Sequence, residues 1–565
     1  MIGRVWVWLR RSFALIVVLS AFVWSAVAIY SVRRKEMPPG TRVVLRIGHW
    51  QLETGVRDAL NMMAAKYHEL HPEVTVVQDS IPEGTYGTWL TTQLMGGTAP
   101  DMLEPGFVMR PILLGYFIRY FLPLTAAVDR PNPYNAGTEF AGVAWRKTFK
   151  DGMRNSYVDE MQEFMTVPLA QFGVRVFYNK TLLQKLTGRS TPPKDFRDFL
   201  AVCDQIRRHH DARGQAYIPI AGSMYHFNLW DELLAAPLTF GAVRQLDFNR
   251  DSTVGMDEFF IGMQTGRISF DFPPFAARFH LSRLLAHEFQ SGWTGLSRDE
   301  AVFLFAQQRA VFITTGTWDA GGLRDQAAGE FEVDLMDFPR PTKADPEFGA
   351  VFEGPVYERP SGGFPFVITR TCQHPEVALD FLQFLSSQRG NEQLNQVTGW
   401  IPSVTGAQMR PELRAFEPHL EGVYDAMPTS IGGDTAIKWQ QLVALFNVEQ
   451  LDYAGLSAEY RAYYNAHAPE EFAELQRNQQ RSIGSDDLFV AGVRARALAA
   501  TGADAQQWWA QYRAITVGRV LLRDLNSLFL NALLAAGPAT NAVAPYALRP
   551  AALANVRARL AGGMN

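Results

Sequence analysis

Residues 43–50 read VVLRIGHW, an alternating and β-rich stretch that predicts a first strand. Residues 56–71 follow with apolar side chains at helical spacing, Pro72 ends that segment, and residues 74–77 (VTVV) predict the next strand. Another helix is expected over 89–95, closed by the glycine pair of MGGTAPDMLEPG (95–106). The order strand, helix, strand, helix predicts an α/β fold whose parallel sheet binds ligands at the carboxyl ends of its strands.

The composition indicates a large folded protein with more than one domain. At 565 residues the chain suits two or three domains, and 47% hydrophobic with 12% aromatic residues supply large buried cores. The net charge is −4 and no long basic stripe occurs, so nucleic-acid binding is not expected. The two cysteines, Cys203 and Cys372, lack the spacing of a structural zinc site and are expected to be buried free thiols.

The N-terminus carries a membrane-targeting pattern. An uncharged run over 13–32 is preceded by RVWVWLRR (4–11) and followed by RRK (33–35). The small residues of AVA (26–28) fit a cleavable signal, whereas the length of the run also suits a helix that spans the ~30 Å hydrocarbon core. The retained anchor is favoured because the run exceeds a usual signal core. Either alternative places the rest of the chain outside the cytoplasm, after a polar linker over 36–42.

The C-terminal region differs in amino-acid composition from the rest of the chain. Residues 451–535 are rich in Ala, Gln and Arg, and their apolar side chains recur at steps of three and four, which predicts helices with an apolar stripe. Arg519 and Arg523 interrupt the most apolar segment, so a second membrane span is not expected. We expect these helices to pack on the rest of the chain.

Several segments together resemble the extracellular solute-binding proteins of ABC importers, in the sugar-binding family that includes maltose-binding protein. The matching segments run in the family's order over roughly residues 43–450. They are LRIGHWQ (45–51), QLMGGTAPDML (93–103), VFYNKTLLQKL (176–186) with TPPKDFRDFLAVCDQI (191–206), RAVFITTGTW (309–318), and SGGFPFVITRTCQHPEVALDFLQFLSSQRGNEQLNQVTGWIPSV (361–404).

The resemblance implies a periplasmic-binding-protein-like fold, with two α/β lobes joined by crossing strands around a ligand cleft. It places lobe one at 43–170 with 360–400 and lobe two at 171–359 with 401–450. Residues 1–42, the signal or anchor helix and linker, and 451–565, the helical extension, depart from the family pattern. The implied function is extracytoplasmic capture of a sugar or oligosaccharide and its delivery to ABC permease subunits, with the membrane contacted through the N-terminal helix.

The resemblance also implies a role for the turn at 95–106. In the family it lies at the cleft, where the Asp101 carboxylate would accept hydrogen bonds from two ligand hydroxyls. The glycines Gly96 and Gly97 allow close approach of backbone and ligand. The alternative is that Asp101 only caps a local turn.

Aromatic side chains supply the other cleft candidates, because an indole stacks well on the apolar face of a pyranose. Each tryptophan could instead pack in a core, but position at strand ends or in loops favours the cleft. The predicted ligand-binding residues are Trp50, Glu53, Asp101, Gln171, Trp230, Trp318, Gly363 and Trp400.

Residues 247–259 (DFNRDSTVGMDEF) follow the spacing of an EF-hand loop, with oxygen ligands at alternate steps and a closing glutamate at step twelve. Ser252 stands where that loop needs glycine, so the alternative is an acidic surface hairpin. A structural Ca²⁺ would be bound by Asp247, Asn249, Asp251, Thr253 and Glu258.

No phosphate-binding, zinc-protease or serine-hydrolase motif occurs, so we do not expect an enzyme. The rival enzyme is a glycosidase that pairs two cleft carboxylates, for example Asp101 with Glu353, although no pattern sets their separation. A third alternative is a membrane-tethered sugar sensor or scaffold.

Overall fold

A computed structural model describes residues 20, 24, 40–53, 55–106, 110–250, 253–358, 362–424, 426–520 and 525–535. The predicted signal or anchor helix at 13–32 therefore falls outside the described residues, apart from Ser20 and Trp24, as does the segment 536–565. In the part of the chain that is described, every helix is too short or too polar to cross a bilayer.

The strands form two main sheets and one short hairpin. In chain order they are β1 (Val43–His49), β2 (Val74–Ser80), β3 (Met102–Leu103), β4 (Tyr157–Val158), β5 (Glu163–Phe164), β6 (Val167–Gln171), β7 (Val174–Asn179), β8 (Ile218–Ala221), β9 (Ala310–Gly316), β10 (Val333–Met336), β11 (Gly362–Ile368) and β12 (Ile401–Pro402).

Helices cover the sheets and make up the whole C-terminal region that is described. They are α1 (Val56–Leu70), α2 (Glu83–Gly96), α3 (Arg110–Tyr120), α4 (Thr125–Val128), α5 (Lys180–Thr187), α6 (Phe196–Arg207), α7 (Met224–Leu246), α8 (Met256–Gln264), α9 (Pro273–Ala286), α10 (Arg298–Ala306), α11 (Thr317–Ala327), α12 (Pro375–Leu385), α13 (Gln388–Thr398), α14 (Gly433–Asn447), α15 (Tyr453–Ala499), α16 (Gly502–Arg519) and α17 (Leu525–Ala535).

The six-stranded sheet has the order β12-β6-β11-β3-β1-β2, and we call it, with its covering helices, lobe one. β1 pairs in parallel with β2 and β3, as the strand and helix pattern predicts. Its apolar side chains pack against α1, α12 and α13 on one face and against α2 and α3 on the other. Ile401 and Pro402 pair with Gln171 and Ala170 in this sheet, whereas the predicted division assigned 401–450 to the second lobe.

The four-stranded sheet has the order β10-β7-β9-β8, and with its helices it forms lobe two. β8 and β9 are parallel, and β7 pairs antiparallel with β9. Side-chain caps begin two of its helices: Asn179 accepts a hydrogen bond from the Leu182 amide, and Asp195 accepts one from the Asp198 amide. The cores on both faces of this sheet are fully buried, which holds β7 and β9 in fixed positions.

The chain passes between the lobes at three crossing segments, and one buried arginine joins them. β6 leads into β7 through Phe172 and Gly173 alone. The Arg175 guanidinium donates to the Glu358 carboxylate at 3.0 and 2.9 Å, and also to the carbonyl oxygens of Ala415 and Glu417. Glu358 lies on the second crossing segment, and Ala415 and Glu417 lie on the third. Arg175 therefore connects all three segments that join the lobes.

The C-terminal helices pack on lobe two, as the apolar stripe predicts. Tyr460 and Tyr464 of α15 are fully buried and contact the Phe270 ring edge to face, at centroid distances of 4.7 and 5.6 Å. α7 and α9 contribute side chains both to this aromatic cluster and to the core of the four-stranded sheet. The extension and lobe two therefore share continuous apolar packing.

Candidate ligand-binding site

Two neighbouring cavities lie between the lobes, and Trp318 lines both of them. The acidic cavity, of about 600 Å³, is bounded by Trp50, Glu53 and Glu83 of lobe one and by α10 and α11 of lobe two. The crossing cavity, of about 390 Å³, lies beside the segments that join the lobes. Together they form the candidate cleft.

Trp318 stands in the first turn of α11, directly after β9. Its ring packs against Gly316, where a Cβ atom would lie only 2.3 Å from the indole, so glycine is needed there. Phe172, in the first crossing segment, meets the indole edge to face at 5.6 Å. The Trp318 Nε1 donor has no hydrogen-bond partner among the described residues. A rigid indole with an unused N–H is thus held between the two cavities.

An ion-pair cluster spans the acidic cavity. Arg298 at the start of α10 donates to Asp319 Oδ1 at 2.6 Å, and Thr315 donates to Asp319 Oδ2 at 2.5 Å. The other side of Arg298 faces Glu53 of lobe one, with 3.9 Å between Nη1 and Oε1. The guanidinium also lies over the Tyr225 ring, 5.6 Å from its centroid. Arg298 therefore links the walls of the cleft electrostatically.

Glu53 is the least satisfied acid of this cluster. Its Oε2 atom is buried with no hydrogen-bond partner among the described residues. Burial raises the pKa of the Glu53 carboxyl, and a backbone hydrogen bond and the Arg298 charge offset this only in part. The carboxyl is therefore suited to exchange a hydrogen bond with a polar group placed in the cavity.

The crossing cavity combines apolar and acidic walls. Gln171 ends β6 there, and Phe172, Tyr357 and Phe416 contribute rings. Glu232 of α7 lines the opposite side, and burial raises the pKa of its carboxyl. This mixture of ring faces and hydrogen-bonding groups is typical of small-molecule sites.

Four of the predicted ligand-binding residues line the cavities: Trp50, Glu53, Gln171 and Trp318. Trp50 is 7% exposed and meets Tyr86 edge to face at 5.0 Å, so most of its ring is packed and only its rim reaches the acidic cavity.

Asp101 is not brought to either cavity. It precedes β3, at the strand's amino end, and its carboxylate accepts a hydrogen bond from the Arg46 backbone amide at 2.9 Å. The residue at the carboxyl end of β3 is Glu104, which accepts from the Trp50 amide at 3.3 Å and from Gln51 Nε2 at 3.1 Å. Burial raises the pKa of Glu104. Glu104 therefore holds the loop that carries Trp50 and Gln51. The prediction had placed Asp101 at the carboxyl end of a strand, but the residue at that end of β3 is Glu104.

Trp230, Trp400 and Gly363 lie in packed interior. Trp230 is fully buried between Phe199 and Phe338, and Trp400 is 1% exposed against Phe172 and Phe364. A Cβ atom on Gly363 would lie 2.5 Å from the Phe172 ring, so this glycine makes room for a neighbouring side chain. In this structure none of the three lines the two cavities.

The loop at 247–258 has a local explanation. Glu258 accepts hydrogen bonds from the backbone amides of Phe248, Asn249 and Gly255, at 2.9 to 3.2 Å, and so caps α8. Asp251 lies outside the described residues. Within the described ranges, no group of three or more His, Cys, Asp or Glu side chains is arranged to hold a metal ion. Calcium binding stays a prediction.

The glycosidase pair is not assembled. Glu353 accepts a hydrogen bond from Arg244 at 3.0 Å near the end of α7, whereas Asp101 binds backbone within lobe one. Four further residues at the cleft had not been predicted: Arg298, Asp319, Tyr225 and Phe172. Of these four, only Asp319 could have been predicted from the sequence, because it directly follows Trp318 at the end of a predicted strand.

Comparisons with known proteins agree with this architecture. The family model described as bacterial extracellular solute-binding protein matches residues 62–417. A curated relative, the multiple sugar-binding protein of Streptococcus mutans, is 20% identical over 359 residues, which are 62% of this chain and 73% of the relative.

Solved structures show the same fold. RafE in complex with raffinose superposes with a TM-score of 0.52 at 17% identity, covering 75% of this chain and 99% of RafE, which is a Streptococcus pneumoniae protein. The GacH receptor of Streptomyces glaucescens gives a TM-score of 0.50 at 15% identity, covering 75% of this chain and 98% of GacH. The described fold is thus that of solute-binding proteins.

Proposed function

Since this chain belongs to the bacterial extracellular solute-binding protein family, we propose that it captures a neutral sugar or oligosaccharide in the interlobe cleft. The observation that carries the proposal is the position of Trp318, whose half-buried indole lines both cavities. An indole supplies a flat apolar surface on which a pyranose can stack.

The charged cluster beside Trp318 supports the same ligand class. Carboxylates and a guanidinium offer the fixed acceptors and donors that several hydroxyl groups need. The relatives point the same way: one is named a multiple sugar-binding protein, and RafE was solved with raffinose.

The charge of the acidic cavity narrows the proposed class of sugar ligands further. Four carboxylates, of Glu53, Glu83, Asp299 and Asp319, face a single guanidinium, that of Arg298. A sugar that carries a carboxylate or phosphate would be repelled from this cavity. We therefore expect neutral sugars to bind and uronic acids to be rejected.

Delivery of the captured sugar to ABC permease subunits, and tethering of the protein to the membrane through residues 13–32, complete the proposal. Extracellular solute-binding proteins act outside the cytoplasm, which fits a targeting segment at the N-terminus. We propose the lobe boundaries 43–170 with 360–402 and 171–359 with 403–450, which keep β12 in lobe one and otherwise follow the predicted division.

A calorimetric titration tests the proposal. The full-length protein is titrated with neutral oligosaccharides, among them raffinose, a maltodextrin and a chitin oligosaccharide, and with a galacturonate oligomer as the anionic comparison. We expect saturable heat with a neutral member and none with the uronate. Absence of heat with every sugar, together with binding of peptides or metal ions, contradicts the proposal.

A further inference from the structure

The C-terminal extension contacts both lobes. α15 is one continuous helix of 47 residues, which makes it about 70 Å long at 1.5 Å per residue. Its amino-terminal half lies on lobe two, and its carboxyl-terminal half, with α16, reaches lobe one. A single stiff element therefore runs from one lobe to the other.

The contact with lobe two is large and aromatic. Tyr460 and Tyr464 are fully buried against Phe259 and Phe270, and Phe472 stacks on Phe260 at a centroid distance of 4.2 Å. Removing this helix from lobe two would expose a whole apolar cluster to water, which is costly. We call this contact the anchor end.

The contact with lobe one combines one aromatic ring with side-chain hydrogen bonds. Phe489 of α15 is half-buried against the apolar cluster that contains Trp50 and Met161. Gln511 of α16 donates its side-chain N–H to the Glu163 carboxylate, and also to the Met161 carbonyl at 3.4 Å. We call this contact the latch.

Side-chain contacts join α15 to α16 on both sides of the latch. The Arg496 guanidinium of α15 lies over the Trp508 ring of α16, 5.0 Å from its centroid, and Arg519 pairs with Asp487 at 2.7 Å. The two helices therefore move together when the latch engages or releases.

We propose that the extension is an interlobe brace: the anchor end stays on lobe two, and the Gln511–Glu163 latch on lobe one sets how freely the lobes rotate. Closure of a two-lobed protein changes the spacing between points on its lobes, and a helix cannot stretch to follow. Rotation thus needs one end to release, and the end with fewer buried aromatic side chains does so first. The inference is independent of which ligand the cleft takes.

Interlobe distance measurements on the full-length, ligand-free chain test the brace. Spin labels are placed at Ala65→Cys in α1 and Gln184→Cys in α5, both exposed positions on opposite lobes, while the native Cys203 and Cys372 are buried. Gln511→Glu sets a second carboxylate against Glu163 and should shift or broaden the distance distribution by several ångströms. Adding Glu163→Gln restores an amide–carboxylate pair and should return the parent distribution.

The control is Gln507→Glu, which adds the same charge at an exposed position of the same helix and should change nothing. Gln511→Ala only removes the amide and should give a smaller shift in the same direction, which keeps the test open if Gln511→Glu unfolds. Identical distance distributions in the parent and in the folded Gln511 variants overturn the brace. Because no sugar is present, that result would leave the proposed ligand untouched.

Discussion

Trp318 shows how much a single position depends on its neighbours. The residue follows a fully buried strand, and Gly316 and Phe172 hold the indole between the two cavities. Trp230 has the same side chain, but α7 turns it into the core of lobe two. The two tryptophans therefore form a matched pair, one at the cleft and one in the interior.

Replacing Trp318 with alanine should weaken sugar binding by ~2 kcal/mol, about 30-fold, since a buried aromatic anchor of a binding site typically carries that much energy. The fold should remain, because the side chain lies at a cavity. Calorimetry with the sugar that binds best measures the change.

Trp230→Ala is the control. It should lower the free energy of unfolding by about 3 kcal/mol or more, because it leaves a large hole in a packed core, while the affinity changes little. The reverse pattern, with Trp318→Ala lowering the melting temperature and not the affinity, would place Trp318 in the core instead.

Glu288 in lobe two should make the stability of the protein depend on pH. Burial raises the pKa of this carboxyl from 4.5 to about 7, although Arg207 lies 3.2 Å away; Asp204 adds to the rise. The folded state thus holds the proton more tightly than the unfolded state. Stability should fall as pH rises from about 4.5 to about 7, at up to ~1.4 kcal/mol per pH unit.

Urea unfolding at a series of pH values measures this slope. Glu288→Gln should flatten that part of the profile, whereas Glu330→Gln, at an exposed site, should leave it unchanged. An unchanged slope in Glu288→Gln would show that other groups cause the pH dependence.

At the scale of elements, a similar sequence pattern can serve different structures. The spacing of 247–258 fits a calcium loop, yet the structure uses its closing glutamate to cap α8. The turn at 95–106 has glycines and an aspartate suited to a ligand, yet Asp101 holds the adjacent strand β1. In both cases a backbone amide nearby is an available donor for the carboxylate.

Chelation decides the calcium prediction. If Ca²⁺ is bound, a chelator should lower the melting temperature of the parent protein, and Asp247→Ala should abolish that response. In the presence of chelator, Glu258→Ala should still cost about 1 kcal/mol, because it removes the cap of α8. Superimposable melting curves with and without chelator would exclude the site.

At the scale of the whole molecule, the extension belongs to the packing of lobe two. Its aromatic side chains complete the cluster around Phe259, Phe270 and Phe275. The crossing segments join the two lobes beside the cleft, and the proposed brace is a further link between the lobes.

Deleting 451–565 should expose this aromatic cluster, so that the truncated protein loses solubility and melts at a lower temperature. The residues that line the acidic cavity should stay in place, because none of them belongs to the aromatic cluster and only Trp50 belongs to the lobe-one cluster that loses Phe489. Light scattering and thermal melting measure the outcome. A truncated protein that stays monomeric and equally stable would show that the extension is an independent module.

The sequence alone determined the α/β class, the two-lobed family architecture and the helical extension, because these depend on periodicity and on motif order along the chain. It also indicated Trp318, Trp50 and Glu53 as candidates, which line the acidic cavity, while their contact with a ligand stays a prediction. Tertiary structure decided the rest. Arg298 and Asp319 meet Glu53 only because two lobes face each other, and Trp230 is buried only because α7 packs on a sheet. Contacts between distant segments leave no period in the sequence, so the cleft's charged walls and the brace became visible only in three dimensions.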